Sequence, residues 1–401
     1  MRLSLPPVKG IDAKHRRGFI GQLIVPERDV EGEWTRFVLP SATGHRLTTA
    51  DGEVLYAFAK APKDGQVPVD GAVLIGPVPD RSSECIDLRA SKWLVHPAVG
   101  GPETGAARAR ETWLNGFRYV GEDEVTSGRI GLRRPQLGAL HAIHAHWSTS
   151  KDVATVVMPT GTGKTETMLA TLVSARCVRV LVLVPTDALR AQIALKFFTL
   201  GILKDPRSSL LQPGVVRPVV GMLTKMPATP EEVEEFFRQC NVVVTTSALA
   251  GRCSPEVQAR MAELCSHLFI DEAHHAEAAT WKRFKSHFKG QSLILQFTAT
   301  PFREDGKPLD GKIIYVCPMR QAQSEGYFKP IRFSSVYAFN SARADRDIAE
   351  KAIEELHADT TGLHVVMARV STQARSTDVQ PISLALGQFN AVVIHSGLKE
   401  T

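Results

Sequence analysis

The chain has no long apolar run. None of its hydrophobic stretches approaches the ~18 unbroken residues that a membrane-spanning helix needs, so neither a span nor a membrane partner is expected. The N-terminus, Met1-Arg2-Leu3-Ser4-Leu5-Pro6-Pro7, lacks the apolar core of a secretory signal. A Cys-x-x-Cys pair is missing too. The six cysteines (Cys85, Cys177, Cys240, Cys253, Cys265 and Cys317) are scattered, several inside apolar strand-like runs. That pattern excludes a disulfide frame or zinc site and predicts reduced, mostly buried thiols in the cytoplasm. Repeats, low-complexity tracts and long linkers are absent from the sequence. Nor does one sign of charge dominate: the net charge is +6, compatible with a polyanionic partner without requiring one. What remains is an ordinary globular composition, 43% apolar and 22% charged, in 401 residues, which predicts two or three domains.

The most informative segment is Met158-Pro159-Thr160-Gly161-Thr162-Gly163-Lys164-Thr165. An apolar run, Ala154–Val157, precedes it, and a helix-like segment, Glu166–Ser174, follows. Strand, glycine-rich turn and helix together are the context of a phosphate-binding loop. Backbone N–H groups converge on the ligand, and the helix N-terminus adds partial positive charge. Glycine lets the backbone approach closely. Lys164 is placed to reach the β/γ-phosphates of a bound polyphosphate, and Thr165 to ligate Mg²⁺. The residues Thr160, Gly161, Thr162, Gly163, Lys164, Thr165 and Glu166 are the expected nucleotide-binding set. Met158 stands where the usual pattern opens with glycine.

The second informative segment is His267-Leu268-Phe269-Ile270-Asp271-Glu272-Ala273-His274-His275. Its apolar part reads as a buried strand, and the two carboxylates fall where that strand ends. In parallel sheets, ligands sit at the carboxyl ends of the strands. Asp271 is therefore expected to hold Mg²⁺. Glu272 is expected to orient or deprotonate an attacking water.

Three regions differ in texture. Residues 1–125 carry short strand-like runs (Phe19–Val25, Trp34–Leu39, Val54–Ala59, Ala72–Ile75), with turn residues such as Asp51-Gly52 and Asp64-Gly65 between them. They predict a β-rich module that holds no catalytic constellation. Residues 126–329 alternate strands and helices. The expected strands Ala154–Met158, Val178–Val184, Asn241–Thr245, Leu268–Ile270 and Leu293–Phe297 lack clean alternation, as strands buried on both faces do. This predicts an α/β fold with a parallel sheet. Thr229-Pro230-Glu231-Glu232 reads as a capped helix start. Residues 330–401 open a second α/β unit, with Ile331–Phe339, Leu363–Ala368 and Ala391–Ile394 strand-like and Asp345–His357 helix-like. Some 70 residues is short for a complete domain of that kind.

Taken in order, these residues resemble the superfamily 2 helicases and translocases, and within them the DEAH-box group with restriction-enzyme motor subunits (ResIII) and XPB-like repair helicases. The resemblance covers residues 131–397. Leu132-Arg133-Arg134-Pro135-Gln136 is similar to the adenine-reading motif, with Gln136 on the base edge. Val184-Pro185-Thr186 with Arg190 and Gln192 resembles motif Ia, and Val244-Thr245-Thr246-Ser247 the next backbone-contacting loop. Thr186, Arg190, Thr245 and Thr246 are thus the implied nucleic-acid contacts. Asp271-Glu272-Ala273-His274 resembles the DEAH box, and Thr298-Ala299-Thr300-Pro301 motif III, which implies that His274, Thr298 and Thr300 couple nucleotide state to strand binding. Phe302-Arg303-Glu304-Asp305-Gly306-Lys307 is similar to the segment that follows in the bacterial members.

The resemblance implies a RecA-like ATPase using ATP and Mg²⁺ and acting on nucleic acid, DNA rather than RNA, as a helicase or translocase subunit. Partner subunits of a restriction, phage-defence or repair complex would go with it. Leu363–Val370 and Val393-Ile394-His395-Ser396-Gly397 resemble the opening strands of the second motor domain. The expected arginine-bearing motif beyond them is not in the sequence, so a truncated second lobe is expected. An arginine finger contributes ~10³–10⁵ in rate. The alternative is therefore a nucleotide-gated binding or scaffold module without turnover. A small-molecule kinase is disfavoured by motif III and the DEAH box.

Two further clusters read as structural. His141, His144 and His146 do not share one helical face, so no metal site is expected. Trp281, Phe284 and Phe288 recur at helical spacing, predicting a core-facing helix with Lys282, Arg283, Lys285 and Lys289 on a solvated side; the alternative is direct contact of this basic side with nucleic acid.

Overall fold

A computed structural model describes residues 2–7, 21–23, 27–49, 53–63, 65–68, 71–76, 85–96, 104–275, 279–302, 306, 308–328, 333–337 and 343–358. The chain divides into two compact units, Met1–Lys329 and Pro330–Thr401.

In the first unit the N-terminal strands are β1 (Arg2–Leu5), β2 (Gly21–Leu23), β3 (Arg28–Val38), β4 (Thr43–Thr49), β5 (Val54–Phe58), β6 (Ala72–Ile75), β7 (Cys85–Asp87) and β8 (Lys92–Val95). All but β2 form one sheet in the order β7-β1-β3-β4-β5-β6-β8. Alternation of side chains across this sheet gives it two cores. Leu3, Leu5, Leu47, Leu55 and Leu74 pack on one face, and Tyr56, Phe58 and Val73 on the other. This is the β-rich module expected from the sequence. The call of a turn at Asp51-Gly52, and Asp64 of the next one, lie outside the described residues.

The strand β2 departs from expectation. The run Phe19–Val25 reads as part of the β-rich module, yet Gly21–Leu23 pairs antiparallel with Val220–Leu223 of the second sheet. That pairing covers the row of backbone groups an edge strand otherwise leaves unpaired. It also needs a glycine. A Cβ at Gly21 would stand 2.5 Å from the Phe236 ring.

The second sheet holds β9 (Ala154–Val157), β10 (Val180–Val184), β11 (Val220–Leu223), β12 (Val242–Thr246), β13 (His267–Ile270), β14 (Leu293–Thr298) and β15 (Lys312–Val316). Its order is β15-β9-β14-β13-β10-β12-β11-β2, parallel throughout except for β2. The residues of β9, β10, β12 and β13 are all buried, because helices cover both faces. The outer strands β11, which β2 flanks, and β15, at the edge, were not legible as strands. β15 keeps an exposed face (Ile313, Val316) and β11 is short. The result is an α/β, RecA-like parallel sheet of the P-loop NTPase kind beside a β-rich module.

The helices are α1 (Thr104–Thr112), α2 (Arg134–Thr149), α3 (Lys164–Ser174), α4 (Asp187–Thr199), α5 (Pro230–Phe237), α6 (Ser247–Arg252), α7 (Pro255–Leu264), α8 (Ala279–Phe288) and α9 (Met319–Ser324). Local chemistry sets their starts. The hydroxyls of Thr186, Thr229, Thr246 and Ser254 accept from backbone N–H groups of the first turns of α4, α5, α6 and α7. The helix α1 and Trp113 join the core of the second sheet, with the Trp113 indole N–H on the Val216 carbonyl at 2.9 Å. The helix α8 buries Phe284 and Phe288 as expected. Lys285, expected in water, is instead buried, and its ammonium meets Gln296 Oε1 at 3.0 Å and the Asp310 carboxylate. The side chain of Trp281 lies outside the description.

In the second unit the helix α10 (Ala344–Ala358) matches the helix-like run Asp345–His357. Residues 333–337 form no regular element, although Ile331–Phe339 reads as a strand. The expected strands Leu363–Ala368 and Ala391–Ile394, and the motif-like segments Leu363–Val370 and Val393–Gly397, lie outside the described residues. Among the described residues no helix is long and apolar enough to cross a membrane.

Candidate functional site

The turn after β9 and the acidic pair after β13 leave the same edge of the second sheet, with β14 between their strands. This is the geometry that lets them share one ligand. Lys164 Nζ stands 2.9 Å from Glu272 Oε1, with the two side chains 8% and 20% exposed. A cleft of about 720 Å³ opens there, lined by Thr160, Pro185, Thr186, Leu189, Ser247, Ala248, Asp271, Glu272, His274 and Ala299.

The turn owes its shape to two glycines in the left-handed region, Gly161 (φ +89) and Gly163 (φ +98). Gly163 is the N-cap of α3. A Cβ there would come within 1.9 Å of Gln136 Nε2, so this glycine also answers a close approach. Thr162 turns inward and donates to the Pro159 carbonyl at 2.6 Å. Met158, the departure from the usual opening glycine, is fully buried, and the Thr167 hydroxyl rests 3.9 Å from its sulfur. The larger side chain fills the core beneath the turn instead of narrowing the cleft.

Gln136 is buried at the start of α2. Its Oε1 accepts the Arg133 backbone N–H at 2.8 Å, while its Nε2 faces Gly163. Thr165 is the second residue of α3 and half-buried. Glu166 takes a different partner from the one expected, accepting the Lys196 ammonium of α4 at 3.0 Å.

Asp271 is buried, and its Oδ1 accepts the Glu272 backbone N–H at 3.0 Å. Burial, then the neighbouring Glu272 charge, push its carboxyl up to about 6, against a smaller opposing effect from Lys164. Glu272 sits at φ +47, an uncommon conformation for a side chain of its kind. Its Oε2 and the Lys164 Nζ are both buried without a hydrogen-bond partner. Buried polar atoms are nearly always satisfied in native folds. The two form an ion pair without an aligned hydrogen bond, and Glu272 of the pair lines the cleft, which leaves bonding capacity beside it for a ligand. An ammonium, a hydroxyl and two carboxylates beside a turn of backbone N–H groups suit a nucleoside triphosphate with a hard cation.

His274 Nδ1 lies 3.0 Å from Thr298 Oγ1. That hydroxyl donates to the Thr300 carbonyl at 2.7 Å and accepts the Thr300 N–H at 3.2 Å. The hydroxyl thus joins His274 to the Thr300 backbone. The Thr300 side chain is exposed.

Of the implied nucleic-acid contacts, Thr186 lines the cleft and caps α4. Arg190 is drawn onto Asp187 at 2.8 Å and is 12% exposed. Thr245 is fully buried and its hydroxyl donates to the Leu223 carbonyl, so it presents no surface to the cleft. Thr246 caps α6 and is buried as well. Ser247 and Ala248 line the cleft in their stead. His141 and His144 share Tyr119, and His146 turns to a different partner. His144 Nε2 contacts Ser174 Oγ at 2.8 Å, His146 Nε2 the Asp152 carbonyl at 3.0 Å, and His141 stacks on Tyr119. The side chain of His275 and residues Arg303, Glu304, Asp305 and Lys307 lie outside the description.

Sequence reasoning missed a set of residues on the outer side of the turn. Arg133 Nη1 donates to the Gly161 carbonyl at 2.9 Å, and its guanidinium lies over the Tyr327 ring, 5.3 Å from the centroid. The Phe328 ring comes against Gly161. Tyr327 and Phe328 are remote in sequence from the turn and carry no local signal.

The fold is of the RecA-like, P-loop kind. Residues 129–303 match the family described as type III restriction enzyme, res subunit. This segment is ResIII-like. No curated protein matches the chain. Among solved structures it is similar to the DNA-complexed nuclease-deletion mutant of the Type ISP restriction-modification enzyme LlaGI, with 17% identity over 58% of this chain and 23% of that one (TM-score 0.32). It is similar to the Pyrococcus furiosus Hef helicase domain, with 21% identity over 61% and 52% (TM-score 0.33). It is also similar to the E. coli DExH-box NTPase HrpB, with 16% identity over 68% and 31% (TM-score 0.43). The chain thus spans between about a quarter and a half of these proteins' own lengths.

Proposed function

We propose that the chain is an ATP-dependent nucleic-acid motor subunit, a helicase or translocase acting on DNA, within a restriction, phage-defence or repair assembly. The observation that carries this reading is the meeting of Lys164 with Glu272 at the wall of the cleft, with His274 Nδ1 3.5 Å from Glu272 Oε2 and 3.0 Å from the Thr298 hydroxyl. ATP with Mg²⁺ would supply the phosphoanhydride bond whose hydrolysis drives the cycle. Thr160 to Thr165 would hold the phosphates through backbone N–H groups, and Lys164 would place its charge on the outer ones. Thr165 and Asp271 would hold the metal, and Gln136 would read the base. Glu272 would orient the attacking water and accept its proton. His274, Thr298 and Thr300 would pass the state of the cleft to a strand held near Thr186 and Arg190.

The test is ATP hydrolysis by the protein with single-stranded DNA, duplex DNA or RNA added in turn. Stimulation by DNA is expected. ATP binding without turnover under every condition would favour the gated binding module, and no response to any nucleic acid would sink the motor reading.

A further inference from the structure

The phosphate turn is gripped from outside as well as from within. Phe328 lies against Gly161, where a Cβ would stand 3.0 Å from its Cε1. Its neighbour Tyr327 carries the Arg133 guanidinium on its ring, and Arg133 in turn holds the Gly161 carbonyl. The phenol of Tyr327 is fixed at its other end. It donates to the Glu122 carboxylate, and the Arg134 backbone N–H reaches both that carboxylate and the phenol oxygen at 3.2 Å. Burial, then the bond to Glu122, push the Tyr327 hydroxyl's pKa up, so it stays a donor at neutral pH. Gly326 (φ +78) turns the chain after α9, and the Tyr327 N–H closes on the Ala322 carbonyl at 3.0 Å, which locks the approach of this pair.

The consequence concerns the carbonyl, not the ligand. The Gly161 carbonyl belongs to the same peptide as the Thr162 N–H, and that N–H closes on the Pro159 carbonyl at 3.2 Å. With the carbonyl held by the Arg133 guanidinium, both ends of this peptide plane are tied, which keeps the turn in one shape for the neighbouring N–H groups to meet phosphate. The geometry points to Tyr327 and Phe328 as positioning residues that preset the phosphate turn, acting through Gly161 and Arg133. This rests on the nucleotide reading above and deepens it. The last described residues before the second unit set the readiness of the phosphate site in the first.

The experiment uses the full chain and two probes, Mg²⁺-ATP and inorganic tripolyphosphate, each titrated by calorimetry against the parent and the variants Phe328→Ala, Phe328→Tyr and Tyr327→Phe. Phe328→Ala is expected to weaken both probes roughly ten-fold, as a misplaced binding group does, with Phe328→Tyr restoring binding to near the parent. Tyr327→Phe, which removes one oxygen, is expected to weaken both by a smaller factor. Unchanged binding in Phe328→Ala overturns the proposal. So does a loss confined to ATP, because the ring would then be touching the base. If Phe328→Ala also melts well below the parent, Tyr327→Phe decides, and parental affinity in that variant overturns the proposal. A parent that binds neither probe brings down the nucleotide reading itself, an outcome distinct from all of these.

Discussion

Lys164 and Glu272 stand 2.9 Å apart without an aligned hydrogen bond between them, both largely withdrawn from water. A cation and an anion so placed compensate each other's burial, yet each retains bonding capacity toward the cleft. Two such groups, one at the start of α3 and one just past β13, are positioned by the parallel order of the sheet and by nothing local to either. Four expectations follow from this arrangement and its surroundings.

Replacing either partner separates binding from turnover. Lys164→Ala is expected to weaken nucleotide affinity by about ten- to a hundred-fold, the worth of a charged hydrogen bond. It should also lower stability by about 1–2 kcal/mol, a discounted share of a broken buried pair, because Glu272 keeps some solvent. Glu272→Gln should keep nucleotide affinity and reduce hydrolysis by ~10²–10⁴. Isothermal titration and a phosphate-release assay check both. Parental turnover by the Gln variant would remove Glu272 from its proposed role.

Asp271 should make the nucleotide-free fold less stable as pH rises. Its carboxyl is raised to about 6 from an ordinary value of 3.8, so the folded chain holds a proton that the unfolded chain gives up. The associated stability is fully present below the unfolded value and is lost as pH climbs through about 6, at most about 3 kcal/mol. Metal binding runs the other way, since it needs the ionised form and should weaken below pH of about 6. Asp271→Asn is expected to raise the melting temperature at pH 7.5, flatten its pH dependence between 4 and 7, and abolish magnesium-dependent nucleotide binding. Melting curves with and without Mg²⁺-ATP across that range test this. A variant less stable than the parent at pH 7.5 would contradict it.

Gly163→Ala should be costly for two separate reasons. The new Cβ meets Gln136 Nε2 at 1.9 Å, and the backbone stands at φ +98. A left-handed alanine costs about 1–2 kcal/mol on its own. Pairing it with Gln136→Ala removes the clash but not the strain, so the double variant should recover part of the lost stability. Denaturant titration of the single and double variants gives the split.

Lys285 is expected to behave as a structural cation. It meets the Gln296 carboxamide and the Asp310 carboxylate, and Gln296 Nε2 continues to Thr155 Oγ1 at 3.0 Å and the Asp310 carbonyl at 2.8 Å. This network joins α8, β14, β9 and the approach to β15 inside the fold. Lys285→Met keeps the volume and strands Gln296 Oε1, at a cost of about 1–3 kcal/mol. Affinity for DNA measured without nucleotide should stay at the parental level. Weakened DNA binding by a stably folded variant would move Lys285 from the core to the interface.

Much of this was legible in the sequence because the signal was local. Apolar runs ending in Gly-Lys-Thr or Asp-Glu give strand ends, and strand ends of a parallel sheet give the cleft. The strands β9, β10, β12, β13 and β14 fell within a residue or two of their expected bounds. What escaped was decided by partners far away in the chain. Gly21–Leu23 has the look of any short β run, and only the open edge of β11 makes it part of the second sheet. Glu166 reads as a cleft residue until Lys196 of the neighbouring helix is in place. Thr245 and Thr246 read as a surface loop, but the sheet closes over the first and the cap of α6 occupies the second. Tyr327 and Phe328 carry no pattern of their own. Their meaning comes entirely from Gly161, which the fold brings beneath them.

The strand β2 has a practical corollary. Because a piece of the first few dozen residues is woven into the far border of the second sheet, no cut between the β-rich module and that sheet yields two tidy halves. A fragment excised from residue 126 onward would carry a raw selvedge along Val220–Leu223, ready to knit with the same seam of another copy. Grafting this domain elsewhere requires that its border thread travel with it.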